Sequence, residues 1–420
     1  VATTCYAGAG KEIISIPEEL LPLEGFAKKL DDLYARVFIY KAEAEWVLVS
    51  LEMTSLQDYE VEILKEKVGK ILCVKKEAIW ITVTHTFSAP HVRSAQAIQE
   101  EEVRIKNQLY CKAIEEAVEA ASIKAMQSIR EVTIGFGKGQ CNINRNRDIE
   151  TTKGWWLGKN PQGFSDMTLP VIIFTDKENN TVAVIYSYDM QSSVMDGVVL
   201  DGGIRVISSD VTGKASRVIE GDSDTVALYV LGAAADQMPR MKAIETTVIG
   251  EKLVETDHGE KGYKFVAELG EKLGKQVQNV MSLATYMEDG DMSRQKAVCQ
   301  CMGQRLPKNM RELKATRNYD FLQEGMHEVP LEIIFIGEIA IVALQPEICS
   351  QTAYEIRKES PFSVTMVFTM VNGGAKYMAD EKSYERITYE AMNSKFAKGS
   401  AEIVRDKILE MLKNKRRYEV

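Results

Sequence analysis

The chain has 420 residues, 45% of them apolar and 27% charged, with a net charge of −9 and a pI near 5.3. That balance describes a globular protein long enough to bury a large core, as two or three domains or one large α/β domain. It argues against a general nucleic-acid binder, which shows a basic face, and gives no attraction to an anionic membrane.

The seven cysteines are scattered, and only Cys299 and Cys301 stand close; a single C-x-C pair is a weak metal signal. The opening VATTCYAGAG has no basic region followed by an apolar core, and no apolar run reaches the roughly 20 residues of a membrane helix. The expected compartment is therefore the cytoplasm, with no membrane partner. A homo-oligomer is compatible with the composition.

In chain order, DDLYARVFIYKAEAEWVLVSLEM predicts a β-hairpin, DYEVEILKEKVGKIL a helix, and AIWITVTHT a strand. Strand, helix, strand is the α/β rhythm. SAQAIQEEEVRIKNQLYCKAIEEAVEAASIKAMQS has apolar positions three and four apart and predicts a long amphipathic helix. VTIGFGKG, LPVIIFTD and TVAVIYSYDM follow as strands, with KGWWLGKNPQGF between them as a loop. SSDVTGKASRVIEG is a turn into a helix, and TVALYVLGAAADQMP a buried strand running into a loop. Helices are expected to dominate from about Thr246 to Ala297. LEIIFIGEIAIVALQPE is a hairpin turning at Gly337-Glu338, and KGSAEIVRDKILEMLKNKRR a last helix. The interleaving predicts one large α/β domain over residues 1–420, with mixed sheets flanked by helices.

Several apolar strands end on polar residues: His85, Asp189, Asp236 with Gln237, and Glu347. In α/β proteins ligands sit at the carboxyl ends of strands. A histidine and carboxylates delivered this way suit one cation. Each residue alone also has a plainer reading, a hydrogen-bonded loop side chain or a turn former such as Asp210 or Asp236.

Read in order, these segments resemble the neutral, non-lysosomal ceramidase family, over nearly the whole chain. The opening hairpin is similar, VTHTFSAP resembles the T-H-T-H-S-G-P motif, and GFGKGQCNINRNR resembles its N-x-N-R segment. VLGAAADQMP resembles its G-D-x-x-P loop, IGEIAIVALQPE its G-E strand end, and KYMADEKSYERITYE its two-tyrosine pattern at Tyr377 and Tyr389. The resemblance implies zinc held by two histidines, a glutamate and a tyrosine, with metal-activated water attacking an amide carbonyl. Carried over by position, the ligands are His85, Glu347 and Tyr377. Tyr389 is then the oxyanion donor, and Arg145 orients the acyl or carboxyl part of the substrate.

The chain departs from the pattern at four places. Phe87 replaces the second histidine of T-H-T-H, Asp189 stands where the second zinc histidine is expected, Met238 replaces a small hydroxyl residue, and Gln345-Pro346 precede Glu347. Asp189 as a ligand makes the set harder, so manganese, iron or magnesium compete with zinc. Two other readings are a metal-free isomerase or lyase using Asp189 with Tyr389, and a silent binding protein. Ceramidases carry a further C-terminal sandwich domain; this chain ends soon after the tyrosine pair. The expected substrate is therefore a small soluble amide, lactam or N-acyl compound. Phe87, Trp155, Trp156, Asp236, Gln237 and Met238 are expected to line its pocket, the tryptophans as an aromatic wall. Arg145 and Arg147, two apart in NINRNR, are expected on one strand face, and His91, after the Pro90 turn, is a candidate to replace the missing imidazole.

Overall fold

The computed structural model describes residues 3–417. Its largest sheet runs in the order Val226–Leu231, Thr181–Tyr188, Thr168–Asp176, Arg130–Gln140, Cys5–Ile13, Tyr34–Lys41, Glu45–Leu51, Ile79–Val83, with Thr285–Met287 paired to Arg130–Gln140. The middle is antiparallel, but each edge strand is parallel to its neighbour. A second sheet orders Met292–Gln304, Gln323–Ile336, Ile339–Ala343 and Val364–Phe368, the last pair also parallel.

Alternation along the strands builds the layers. Val37, Ile39 and Val49 face Val61, Leu64 and Val68 of helix Asp58–Leu72 and Ile114 and Val118 of helix Glu101–Gln127. Phe38, Trp46 and Leu48 point the other way, into Ile334, Ile341 and Met366 of the second sheet. On that sheet's far side, Ile333, Phe335 and Val342 meet Ile356, Val404 and Ile408 of helices Ser350–Glu359 and Ser400–Arg417. Helices, sheet, sheet, helices is an α/β fold of mixed sheets flanked by helices. Where a strand is covered on both faces, as in Thr181–Tyr188, Val226–Leu231, Ile339–Ala343 and Val364–Phe368, it reads as a continuous apolar run rather than as alternation. The long helix lies close against strand Cys5–Ile13 because Gly8 and Gly10 have no Cβ: one built there would meet the Ala125 and Ala121 carbonyls at 2.2 Å.

Two expectations need correction. Residues 246–297 are not mainly helical: Ile244–Ile249 and Lys252–Asp257 form a hairpin, helix Tyr263–Ser282 follows, and strand Met292–Gln304 begins inside the range. The β-branched run ETTVI and Gly250 in the left-handed region favour the hairpin. The KGWW segment is not a loop but strand Gly154–Asn160, paired to Asn144–Thr151. The predicted hairpin at residues 31–53, the helix at 58–72, the strand ending before His85 and the last helix all stand as expected. No helix among the described residues is long and apolar enough to cross a membrane.

Candidate active site

Five strand ends meet at one rim of the two sheets. Thr86 bridges Ser192 in parallel fashion, tying the segment after Ile79–Val83 to the one after Thr181–Tyr188. Beyond Val364–Phe368, the chain donates from Thr369 N–H to Leu231 and from Asn372 N–H to Ile81, lacing the second sheet to both edges of the first. Glu347 pairs in register with Tyr377, its N–H bonded to the Lys376 carbonyl at 3.0 Å.

His85 turns out of its strand with φ at +55°, in the left-handed region that few residues other than glycine adopt. Lys376, just before Tyr377, has φ +59°. Strain of this kind persists where the surroundings over-determine it, and functional sites are the usual places. The imidazole is buried. Its Nδ1 lies 2.6 Å from the Thr54 carbonyl, which can only accept, so Nδ1 carries a proton; an Nε2 without one presents a bare lone pair. Nε2 faces Glu347 Oε2 at 3.4 Å, and both atoms are buried without a hydrogen-bond partner among the described residues. Two acceptors cannot satisfy each other, so this pair needs a proton or a cation between its atoms. A separation of 3.4 Å is close to the edge of a tetrahedron built on metal–ligand bonds of about 2.1 Å. A backbone carbonyl on the far nitrogen is also the usual support of a metal-bound histidine.

Tyr377 completes the corner. Its hydroxyl accepts from Arg147 Nη2 at 3.1 Å, and burial pushes the phenol above its ordinary value while the guanidinium pulls it back. Arg147 also donates from Nε to Glu390 at 2.7 Å and from Nη1 to Gln191 Oε1 at 3.0 Å. Its guanidinium lies 5.5 Å from the Tyr377 ring centroid and 5.8 Å from that of Tyr389. Burial, then the Glu390 carboxylate, holds the Asp148 carboxyl well above its usual range. The rings of Tyr377 and Tyr389 are 6.1 Å apart, and Trp156 meets Tyr389 edge-on at 5.8 Å. The Tyr389 hydroxyl accepts from Asn393 at 3.2 Å, so its proton is free to be donated elsewhere.

Among the described residues no three His, Cys, Asp or Glu side chains stand together as a ligand set. His85 and Glu347 make two, and Tyr377's phenol is the third donor on hand. Three such donors would leave an open position, as a catalytic zinc site requires. The residues present therefore fit one divalent ion.

The structure brings His85, Glu347, Tyr377, Tyr389, Phe87 and Trp156 together. Phe87 packs edge-on against His85 at 4.6 Å. Trp155, alternating to the other side of its strand, sits under Arg386 at 4.2 Å and is a structural contact. Asp189 is corrected: it is 1% exposed and held by Arg357 through Nη2 at 2.6 Å and Nη1 at 3.0 Å, with Ser350 Oγ at 3.1 Å. With that carboxylate occupied, Asp189 serves neither as a ligand beside His85 nor as a general base. Arg145 is corrected too. Its Nη1 bonds Asn142 Oδ1 and the Asn144 carbonyl, and Arg147 enters the site instead. The ladder is irregular between Asn146 and Asp148, which breaks the alternation that would set both arginines on one face.

The pocket-lining roles of Asp236, Gln237 and Met238 give way to structural ones. Asp236 accepts from Ser350 N–H at 2.9 Å and Asn146 Nδ2 at 3.1 Å, and burial lifts it to about 7. Gln237 donates to the Phe164 carbonyl, and Met238 stands opposite Arg145 in the ladder. His91 pairs with Glu24 at 3.0 Å and leaves His85 alone. Sequence reasoning missed Gln191, Glu390 and the part played by Arg147. Gln191 lies two residues beyond Asp189 and Glu390 directly follows Tyr389, so proximity to singled-out residues was the only signal.

No protein-family model matches the chain, and no curated protein does. Solved structures do. The crystal structure of neutral ceramidase from Pseudomonas aeruginosa matches with a TM-score of 0.73 at 15% identity, over 98% of this chain and 74% of that one. A ceramidase complexed with C2 matches with a TM-score of 0.73 at 14% identity, over 100% of this chain and 76% of that one. At such identity the likeness is one of backbone, and it agrees with the order of motifs along the sequence: this chain has the neutral-ceramidase fold.

Proposed function

We propose that this protein is a metal-assisted hydrolase of a C–N bond in a small soluble amide, lactam or N-acyl compound. The observation that carries the reading is the buried, unpartnered pair His85 Nε2 and Glu347 Oε2, 3.4 Å apart. The ceramidase neighbours support amide chemistry on this fold. His85, Glu347 and Tyr377 would hold the ion, with zinc first and manganese or iron as rivals, since two of the three donors are oxygens. When bound, such an ion supplies Lewis acidity toward a carbonyl and lowers the pKa of water.

The chain's own groups do the rest. Thr54 fixes the His85 tautomer, and Arg147 holds Tyr377 and Glu390 in place while its charge favours the phenolate. The Tyr389 hydroxyl is the donor to the developing oxyanion, a preorganised dipole. Phe87 and Trp156 supply the apolar walls on either side.

The test is metal analysis and zinc calorimetry on the wild type beside His85→Ala, Glu347→Gln and Asp189→Asn. One ion per chain is expected, lost in the first two and kept in the third. A wild type that binds none after incubation with zinc, manganese or iron sinks the metal reading. Release of amine from a panel of short N-acyl amino acids and lactams, followed by mass spectrometry, then tests the reaction. One observation favours a second reading, a binding protein without turnover: the Arg147 guanidinium already puts a fixed cation on Tyr377. That reading expects ligand-dependent stabilisation with no product from any member of the panel.

A further inference from the structure

Outside the His85 cluster, three cations from separate segments gather at the turn 141–144. Arg145 stands opposite Met238 in the antiparallel ladder, and Arg240, two residues beyond, donates its backbone N–H to the Ile143 carbonyl at 2.7 Å. That register makes Arg145 and Arg240 diagonal neighbours on one face. Lys272, from helix Tyr263–Ser282, reaches in to the Asn142 carbonyl at 3.4 Å. Arg145 Nη1 is pinned at 2.9 Å by both Asn142 Oδ1 and the Asn144 carbonyl, while its Nε and Nη2 have no partner among the described residues. None of the three cations has an ion pair among the described residues. Partial burial and then the like charge of Arg240 push the Arg145 guanidinium below its ordinary value, with no carboxylate acting on it.

The chain carries 61 acidic against 52 basic residues, so carboxylates are in excess, yet none is supplied here. Like charges drawn together without a counter-ion repel, and a bound anion relieves that repulsion. We propose that Arg145, Arg240 and Lys272 form a binding site for a small phosphate: inorganic phosphate or a soluble phosphate monoester. The free Nε–Nη2 edge of a pinned guanidinium matches two phosphate oxygens, a second guanidinium adds another fork, and the ammonium adds a point charge. The site shares no side chain with His85, Glu347 or Tyr377, so it stands independently of the hydrolase reading.

The experiment titrates inorganic phosphate and phenyl phosphate into the full chain by calorimetry and thermal shift, with sodium chloride holding ionic strength constant. The variants are Arg145→Gln/Arg240→Gln and, at exposed positions only, Arg240→Gln/Lys272→Gln. Saturable binding by the wild type is expected, weakened about tenfold or more in both variants because each loses two charge-assisted contacts. Zinc binding, the readout of the other site, is expected to be unchanged in both. No saturable binding by the wild type, or equal binding by the variants, overturns the proposal. Binding only to phosphatidylglycerol vesicles, with none to either soluble probe, also overturns it.

Discussion

At the scale of single residues, the acids at the strand ends differ by what they face. Glu347 Oε2 faces the Nε2 of His85, whereas Asp189 faces a guanidinium. Asp189→Ala is therefore expected to cost stability, about 3 kcal/mol, because Arg357 loses its fork and keeps only Asp166. It is expected to leave metal content unchanged; denaturant titration with elemental analysis checks both, and loss of metal would return Asp189 to the ligand set. Asp236 makes the pH prediction. Its unfolded carboxyl titrates near pH ~3.9 and its folded one at about 7, because burial disfavours the charge. A raised folded pKa means that its contribution to stability is full below about pH 4 and lost as pH rises through about 7. Asp236→Asn should flatten the stability curve over that window, measured by urea midpoints; parallel curves for the two proteins would refute the assignment. Arg147→Met strands Glu390, which is 0% exposed, and should cost about 3–5 kcal/mol. Arg145→Met, at a half-buried position with no ion pair among the described residues, should cost under about 1 kcal/mol in the same titration.

At the scale of elements, the strand Asn144–Thr151 shows where a periodic reading of sequence stops working. NINRNR alternates perfectly, and alternation predicts both arginines on one face. The pairing with Gly154–Asn160 slips between Asn146 and Asp148, and Arg147, its N–H bonded to the Asp236 carbonyl, enters the site without Arg145. A slip belongs to two strands at once, so neither strand's sequence carries it. The partner strand is in turn positioned at Gly154, where φ is +130° and a Cβ would meet the Thr316 carbonyl oxygen at 2.3 Å. Gly154→Ala should therefore cost about 2 kcal/mol or more, through strain and the clash with fixed backbone. It should also disturb the Trp156–Tyr389 contact, visible as a changed near-ultraviolet circular dichroism spectrum. An unchanged spectrum and an unchanged midpoint would show that the segment yields freely.

At the scale of the molecule, the two sheets deliver strand ends from far apart in the chain to one rim: His85, Gln191, Glu347 and Tyr377. Such a rim suits a ligand that stabilises the whole fold. Zinc at about one hundred times its dissociation constant should add about 2.7 kcal/mol to unfolding in the wild type and nothing in His85→Ala. Much of this was legible in sequence. Apolar runs bounded by turns marked most strands, three-and-four spacing marked the long helices, and the order of short motifs pointed to the fold and to His85, Glu347, Tyr377 and Tyr389. Those signals are local, set by backbone preference and side-chain period, and so survive in one dimension. What only the tertiary structure decided was which polar group meets which. Asp189 could be matched by position but not by partner, because Arg357 lies 168 residues away. Arg147 replaced Arg145 through a slip between strands, and Gln191 and Glu390 became visible only as the ends of Arg147's hydrogen bonds. A buried charge takes the partner that packing puts beside it, and packing is a property of the assembled layers rather than of any segment.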